Sequence, residues 1–292
     1  MSQLALPLDG LRFTREGSLT EKALAALAAG PLPTLDVARA VLGISGGGGA
    51  AAAAVFTLLG GDPRFAVSAE GAWSLAAPAE APPRRPLRDE EWVVVDVETT
   101  GGAPSRGHRV TEVAAVRVAG GVIRDTWCTL VNPERPIPGM ITSLTGITDG
   151  MVAAQPRFAQ VAGQVAAALR GGVFVAHNAG FDWRFICHEM SMATGTRPAG
   201  RQLCTVRLAR RLLPELPSRS LDGLALYFGV NIDARHRALD DAVATAKVLI
   251  RMLEMLDERQ VEDWEALQGV LRKRKGRRSR RRRAMPQAME AA

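Results

Sequence analysis

The 292 residues are 47% hydrophobic, 23% charged and 5% aromatic, which excludes a fibrous or wholly disordered chain and leaves room for about two domains. The longest apolar run, Ala50–Gly60, falls short of the ~20 residues a membrane span needs, and the first nine residues lack the basic segment of a secretory signal. Cys128, Cys187 and Cys204 form no CxxC pair, so a structural zinc drops out and a reducing, cytoplasmic setting is expected.

The net charge of +7 is a local feature. Ten of the twelve residues in Arg272–Arg283 are basic, and without them 27 Lys and Arg face 30 Asp and Glu. A run of this kind is expected to be solvated and to attract polyanions.

Residues 1–10 form a short apolar peptide that ends in the Asp9-Gly10 turn signal. Residues 11–77 read as a small module. Ser18–Thr20 can cap a helix over Glu21–Ala29, Thr34 can cap a second over Leu35–Leu42 that Gly43 stops, and a third covers Ala50–Leu59. Arg64–Ser68 and Ala72–Leu75 then flank a turn at Glu70-Gly71 as a hairpin, giving the element order of a winged helix. Residues 78–89 are a proline-rich linker.

Residues 90–257 form the main domain. Trp92–Val97 is a buried strand, and Val110–Val118 with Val122–Val131 make an antiparallel hairpin around Gly120-Gly121. A helix over Phe158–Leu169, a strand over Val173–Ala176, a helix over Gly180–Met192 and a short strand over Gln202–Thr205 follow. Helices over Val206–Leu213, Leu221–Phe228 and Ala238–Leu256 complete a mixed α/β sheet flanked by helices. Residues 258–292 are read as a basic C-terminal tail.

The chemistry gathers at element ends. In Val95-Asp96-Val97-Glu98 the two acids share one face of a strand, because side chains alternate with period two. Two like charges at the edge of an apolar strand call for a cation between them, either a divalent metal or nearby arginines. Thr99 and Thr100 with Gly101 form a tight turn able to offer backbone N–H groups to a phosphate. In His177-Asn178-Ala179-Gly180-Phe181-Asp182, Asp182 enters the first turn of a helix as a cap or as a ligand, and Phe181 is either core or a surface for a stacked base. His236 precedes the longest helix and Asp241 lies in its opening turn, five residues on, either as an N-cap or as a base beside a metal-held water. Four carboxylates with one imidazole and no paired thiols suit Mg²⁺ or Mn²⁺, and two such ions ~3.5–4 Å apart would serve phosphodiester hydrolysis.

In this order, Asp96-x-Glu98, His177-Asn-Ala-x-Phe-Asp182 and His236-x-Ala-x-x-Asp241 resemble the DEDDh 3′–5′ exonucleases, the family of the proofreading epsilon subunits of bacterial DNA polymerase III. Ser143-Leu144-Thr145-Gly146-Ile147-Thr148 resembles the family's segment beside the bound 3′ end. The resemblance implies a ribonuclease-H-like fold, two Mg²⁺ or Mn²⁺ ions and release of nucleoside monophosphates from DNA 3′ ends, single-stranded or frayed. It makes Asp96, Glu98, Asp182 and Asp241 metal ligands and His236 the general base. Asp241, rather than Asp240, keeps the motif's spacing. Thr99, Thr100, Leu144, Thr145, His177, Asn178 and Phe181 become the substrate-binding set. The alternatives are an exoribonuclease and a catalytically silent nucleic-acid or clamp adaptor. Gln3–Leu8 resembles the peptides by which bacterial replication and repair proteins dock on the sliding clamp, and a DNA polymerase is a further candidate partner.

Overall fold

The structure, a computed structural model, describes residues 10–15, 17–46, 48–62, 64–76 and 85–272. The clamp-like peptide at Gln3–Leu8, most of the proline-rich linker and the basic run beyond Arg272 lie outside the described residues.

The N-terminal part contains β1 (Arg12–Arg15), α1 (Leu19–Leu27), β2 (Leu32–Pro33), α2 (Thr34–Val37), α3 (Gly48–Leu59), β3 (Phe65–Val67) and β4 (Ala72–Leu75). Ser18 caps α1, its hydroxyl accepting the Glu21 N–H at 3.2 Å, as a hydroxyl one position ahead of a helix should. The chain beyond α2 widens into a π-type turn over Ala38–Leu42, which Gly43 closes at φ +70°. Thr34 does not cap this helix. Its hydroxyl donates to the Gly71 carbonyl at 2.7 Å and accepts the Trp73 indole N–H at 3.1 Å. That clasp brings β2 alongside β4, so the expected hairpin becomes a three-stranded antiparallel sheet of order β2-β4-β3. Trp73 is buried among Ala23, Leu27, Val37, Val55 and Leu59, which gives these elements a core of their own.

The rest of the chain runs β5 (Glu91–Thr99), β6 (Val110–Ala119), β7 (Val122–Leu130), α4 (Gly139–Thr145), α5 (Asp149–Val152), α6 (Phe158–Leu169), β8 (Val173–Ala176), α7 (Gly180–Thr194), β9 (Thr196–Ala199), β10 (Gln202–Cys204), α8 (Thr205–Leu212), α9 (Leu221–Phe228), α10 (Ala238–Glu258) and α11 (Trp264–Leu271). Five strands form a mixed sheet in the order β10-β8-β5-β6-β7, with β6 antiparallel to both neighbours and β8 parallel to both β5 and β10. Strand alternation assigns the faces. Val93, Val95 and Val97 pack with α6 and α7, while Trp92 and Val94 pack with α8, α9 and α10. Each fully buried Val or Leu contributes about 1.5–3 kcal/mol, so both faces are strongly held. β1, read from sequence with the N-terminal segment, instead pairs antiparallel with β9, and the neighbouring Leu11 enters the α6–α7 core.

Three further elements depart from expectation. α4 and α5 are short, the first ended by Gly146 at φ +72° and the second begun by Thr148, whose hydroxyl accepts the Met151 N–H. α11 occupies what reads as the start of the basic tail. Leu267 and Leu271, at helical spacing, are buried against the α8–α10 core, so residues 264–271 belong to the folded body. Among the described residues, no helix is long and apolar enough to cross a membrane.

Candidate active site

β8 pairs with β5 only over Trp92–Val94, whereas β6 follows β5 to Thr99. The last residues of β5 therefore have a strand on one side only, and a cleft opens on the other. Asp96 and Glu98 continue the Trp92–Val94 face and point toward α10. A β-bulge between Glu98 and Thr99 ends the regular pairing, a feature common beside functional sites.

Two helices bring their first turns to this opening. α7 places Asp182, whose Oδ1 accepts the Val97 N–H at 3.2 Å, a donor that β8 is too short to pair. α10 places Asp241, whose Oδ2 accepts the His236 backbone N–H at 3.2 Å and a bond from Arg235 Nη1. Among the described residues, Asp241 Oδ1 is buried without a hydrogen-bond partner. The resulting cleft, about 180 Å³, is lined by Asp96, Glu98, His177, Asn178, Phe181, Asp182, Leu221, Arg235, His236 and Asp241, along with the Val97 backbone segment. Two of these residues hold left-handed backbone, Asn178 at φ +70° and His236 at φ +61°. Such positions cost on the order of 1–3 kcal/mol and persist where the surroundings enforce them.

The electrostatics are those of four clustered acids facing a single arginine, Arg235. Burial, with Asp182, Glu98 and Asp241 nearby, pushes the Asp96 carboxyl well above the usual carboxylate range. Burial, with Asp241 and Glu112 adding to it, pushes Glu98 up to about 8. Burial likewise raises Asp182 to about 7. His177 is held neutral, driven down to about 4 by burial and then by the Arg235 charge, with its Nδ1 3.0 Å from the Thr205 hydroxyl. Ligand atoms of Glu98, His236 and Asp241 lie within 4.8 Å of one another. An orphaned carboxylate oxygen, hard oxygen donors and an arginine already drawn onto Asp241 fit a divalent cation of the Mg²⁺ or Mn²⁺ kind.

Of the other substrate-contact candidates, Thr99, Thr100, Leu144 and Thr145 fall outside the lining of the cleft. Thr99 and Thr100 are buried and turned inward: the Thr99 hydroxyl donates to the Gly101 carbonyl, and the Thr100 hydroxyl contacts His108 Nδ1 and accepts the Arg109 N–H. The Thr100 N–H donates to the Arg109 carbonyl and the Gly101 N–H to the Thr99 hydroxyl, so the turn spends internally the donors expected for a phosphate. Thr145 is buried and bonds within its own turn, donating to the Ile141 carbonyl and accepting the Ile147 N–H. Leu144 is half exposed on α4, one turn from the exposed Met140, and does not line the cleft. The Phe181 ring lines the cleft and leans on Phe185 with centroids 5.0 Å apart. Asp240 is half-buried and outside the lining, as the motif spacing implies.

Sequence reading missed two residues. Glu112, opposite Glu98 in the β5–β6 register, is buried and accepts bonds from Arg237 Nε (3.1 Å) and Nη2 (2.6 Å) and from the Ala238 N–H (2.9 Å). It fixes the turn that presents His236. Arg235 is the other, and its position beside His236 was the available signal.

A mixed sheet whose central strand carries two acids into a cleft closed by acidic helix starts is the architecture of the ribonuclease-H-like exonucleases. Residues 93–249, just over half of the chain, match the exonuclease family model RNase_T, and the chain belongs to that family. The epsilon subunit of DNA polymerase III from Aquifex aeolicus is 36% identical over 181 residues, covering 62% of this chain and 89% of that one. A putative bifunctional exonuclease/endonuclease protein of Mycobacterium tuberculosis is 41% identical over 192 residues, covering 63% of this chain and 30% of its own. The chain spans less than a third of the length of the first curated relatives it matches. Among solved structures, Escherichia coli exonuclease I with a dT13 oligonucleotide superposes with a TM-score of 0.51 at 17% identity, covering 59% of this chain and 43% of that one. The nuclease domain of 3′hExo, a DEDDh family member bound to rAMP, gives 0.50 at 22% identity over 57% of this chain and 94% of that one. At these identities the two structures establish likeness of fold.

Proposed function

We propose that the chain is a divalent-metal-dependent 3′–5′ exonuclease that acts on DNA 3′ ends and releases nucleoside monophosphates. The observation that carries this reading is the convergence of Asp96, Glu98, Asp182 and Asp241 with His236 around one cleft. The four carboxylates are the groups that would hold the ions, which supply positive charge to offset the acids and the charge that develops on the phosphodiester. His236 is the base: it takes the proton of the water that attacks phosphorus, while the bond to O3′ of the shortened strand breaks and the 5′-phosphate leaves on the released nucleotide. Neutral His177, oriented by Thr205, and the Phe181 ring are the contacts that seat the terminal nucleotide. DNA is the favoured substrate because relatives that match across this exonuclease region carry DNA polymerase III names.

The element order α1–β2–α2–α3–β3–β4 supports a winged-helix reading of the N-terminal module. α3 carries no Lys or Arg, which favours a protein-docking role for it over duplex reading.

The deciding experiment digests matched 5′-labelled DNA and RNA with Mg²⁺, single-stranded and duplex, comparing the parent with Asp96→Ala. The reading expects DNA shortened from its 3′ end by the parent alone. Equal rates for parent and variant would remove the enzyme reading, and shortening of RNA alone would make the chain an exoribonuclease.

A further inference from the structure

The acidic cleft already holds one permanent cation. Arg235 lies in the turn ahead of α10, with 31% of its side chain exposed. It is the sole Lys or Arg among the described lining residues. Nη1 donates to Asp241 Oδ2, while Nε donates to Asp222 Oδ1 at 2.7 Å and Nη2 to Asp222 Oδ2 at 3.4 Å. Asp222 belongs to the first turn of α9, is 64% exposed and does not line the cleft. It is therefore a tether at the rim. Arg237, two residues on, is turned the other way onto Glu112, so the arginines flanking His236 have separate roles.

The bonding at Asp241 shows what an incoming cation meets. Oδ2 is occupied by the guanidinium and the His236 N–H, while Oδ1 is buried and has no partner among the described residues. The guanidinium thus sits on a carboxylate that the proposed function assigns to a divalent ion. A guanidinium has five donors in a planar fork, so it can keep its Nε edge on one acid while its Nη groups change partner. A flexible lysine ammonium lacks that fork.

Resting on that reading of the cleft, we propose that Arg235 is a displaceable counter-ion: it holds Asp241 in the ion-free protein, yields that contact to a divalent ion and, still tethered by Asp222, turns its guanidinium to a phosphate of the bound strand. Ion and phosphate binding are then coupled. The ion frees the guanidinium for the phosphate, and the phosphate keeps the guanidinium off Asp241, so each tightens the other.

The test titrates Mn²⁺ into full-length parent, Arg235→Gln, Arg235→Lys and Asp222→Asn by calorimetry, without nucleic acid. A nucleoside 5′-monophosphate is then titrated at saturating Mn²⁺. Circular dichroism and melting check that each variant folds, and Arg235→Lys and Asp222→Asn carry the test if Arg235→Gln does not. Arg235→Gln is expected to bind Mn²⁺ roughly threefold to tenfold tighter, Arg235→Lys to show part of that gain, and both to bind the monophosphate roughly tenfold more weakly. Asp222→Asn should weaken monophosphate binding roughly threefold. Unchanged Mn²⁺ affinity in Arg235→Gln overturns the proposal. So does a gain wholly absent from Arg235→Lys, which would reflect net charge alone, and so does unchanged monophosphate affinity. Absence of Mn²⁺ binding in parent and variants alike would instead sink the ion-site reading itself.

Discussion

Replacing Glu112 by Gln should loosen the cleft although Glu112 touches none of its contents. The substitution keeps the shape and removes one charge from a pair in which Glu112 is 2% exposed. Breaking a buried pair by removing one partner costs about 3–5 kcal/mol, but the Arg237 side chain is 37% exposed and recovers water, which lowers the cost to about 2. Loss of a charged acceptor from the Ala238 N–H at the start of α10 adds about 1 kcal/mol. At about 2–4 °C per kcal/mol, the melting temperature should fall by roughly 6–12 °C. The turn loses the clamp that holds His236 at φ +61°, so kcat should drop by at least about tenfold with little change in KM. Melting, urea titration and single-turnover kinetics measure these effects. Glu112→Gln combined with Arg237→Gln should cost less than the two singles together, because no charge is left uncompensated. A single variant that melts within about 2 °C of the parent, or strictly additive costs, would refute the reasoning.

His236→Ala should slow turnover roughly 10²–10⁴-fold while DNA affinity stays near that of the parent, measured by single-turnover cleavage and anisotropy; parallel loss of binding would argue against a base. Glu98, raised to about 8 from 4.5, and Asp182, raised to about 7 from 3.8, bind more protons folded than unfolded. The ion-free protein should therefore be most stable below about pH 4 as far as these two groups act, and should lose on the order of a few kcal/mol as pH rises to about 8. Urea titrations in chelator across that range read the loss, and Mn²⁺ should reverse it. Removing residues 273–292, which spares Leu271 in α11, should flatten the salt dependence of single-strand binding by about 0.7 per lost phosphate contact without abolishing cleavage at low salt. Gly101→Ala should destabilise by about 1–3 kcal/mol, seen in thermal melts, because a Cβ there lies 2.3 Å from the His108 ring and φ is +156°.

The sequence carried the sheet and the cleft unevenly. Trp92–Val97 and Val173–Ala176 were legible as short continuous apolar runs and Phe158–Leu169 as a helical apolar repeat, while strand alternation put Asp96 and Glu98 on one face. β1 was not legible: Arg-Phe-Thr-Arg has no strand pattern of its own and is extended because β9 offers it a partner. α11 was hidden by the charge run that follows it, although Trp264, Leu267 and Leu271 recur at helical spacing. The turn at Thr99–Gly101 looked like a phosphate cradle because sequence gives the donors and not their acceptors. In the fold the Arg109 carbonyl and the Thr99 hydroxyl take them.

What sequence could least reveal is how so many acids are tolerated at the end of an apolar strand. Period-two alternation and helix starts explain why Asp96, Glu98, Asp182 and Asp241 meet, but not what offsets their repulsion. Glu112 lies directly across from Glu98 and adds to that repulsion, and its own charge is held by Arg237 and the start of α10. Arg235 does the same for Asp241 from the other side of His236. The two arginines around the histidine therefore neutralise acids in different ways. Arg237 is bonded to a buried acid and fixes the backbone, while Arg235 is bonded to a rim acid and a cleft acid and can move. That asymmetry of burial, 3% side-chain exposure for Glu112 against 64% for Asp222, makes one a structural pair and the other an exchangeable one.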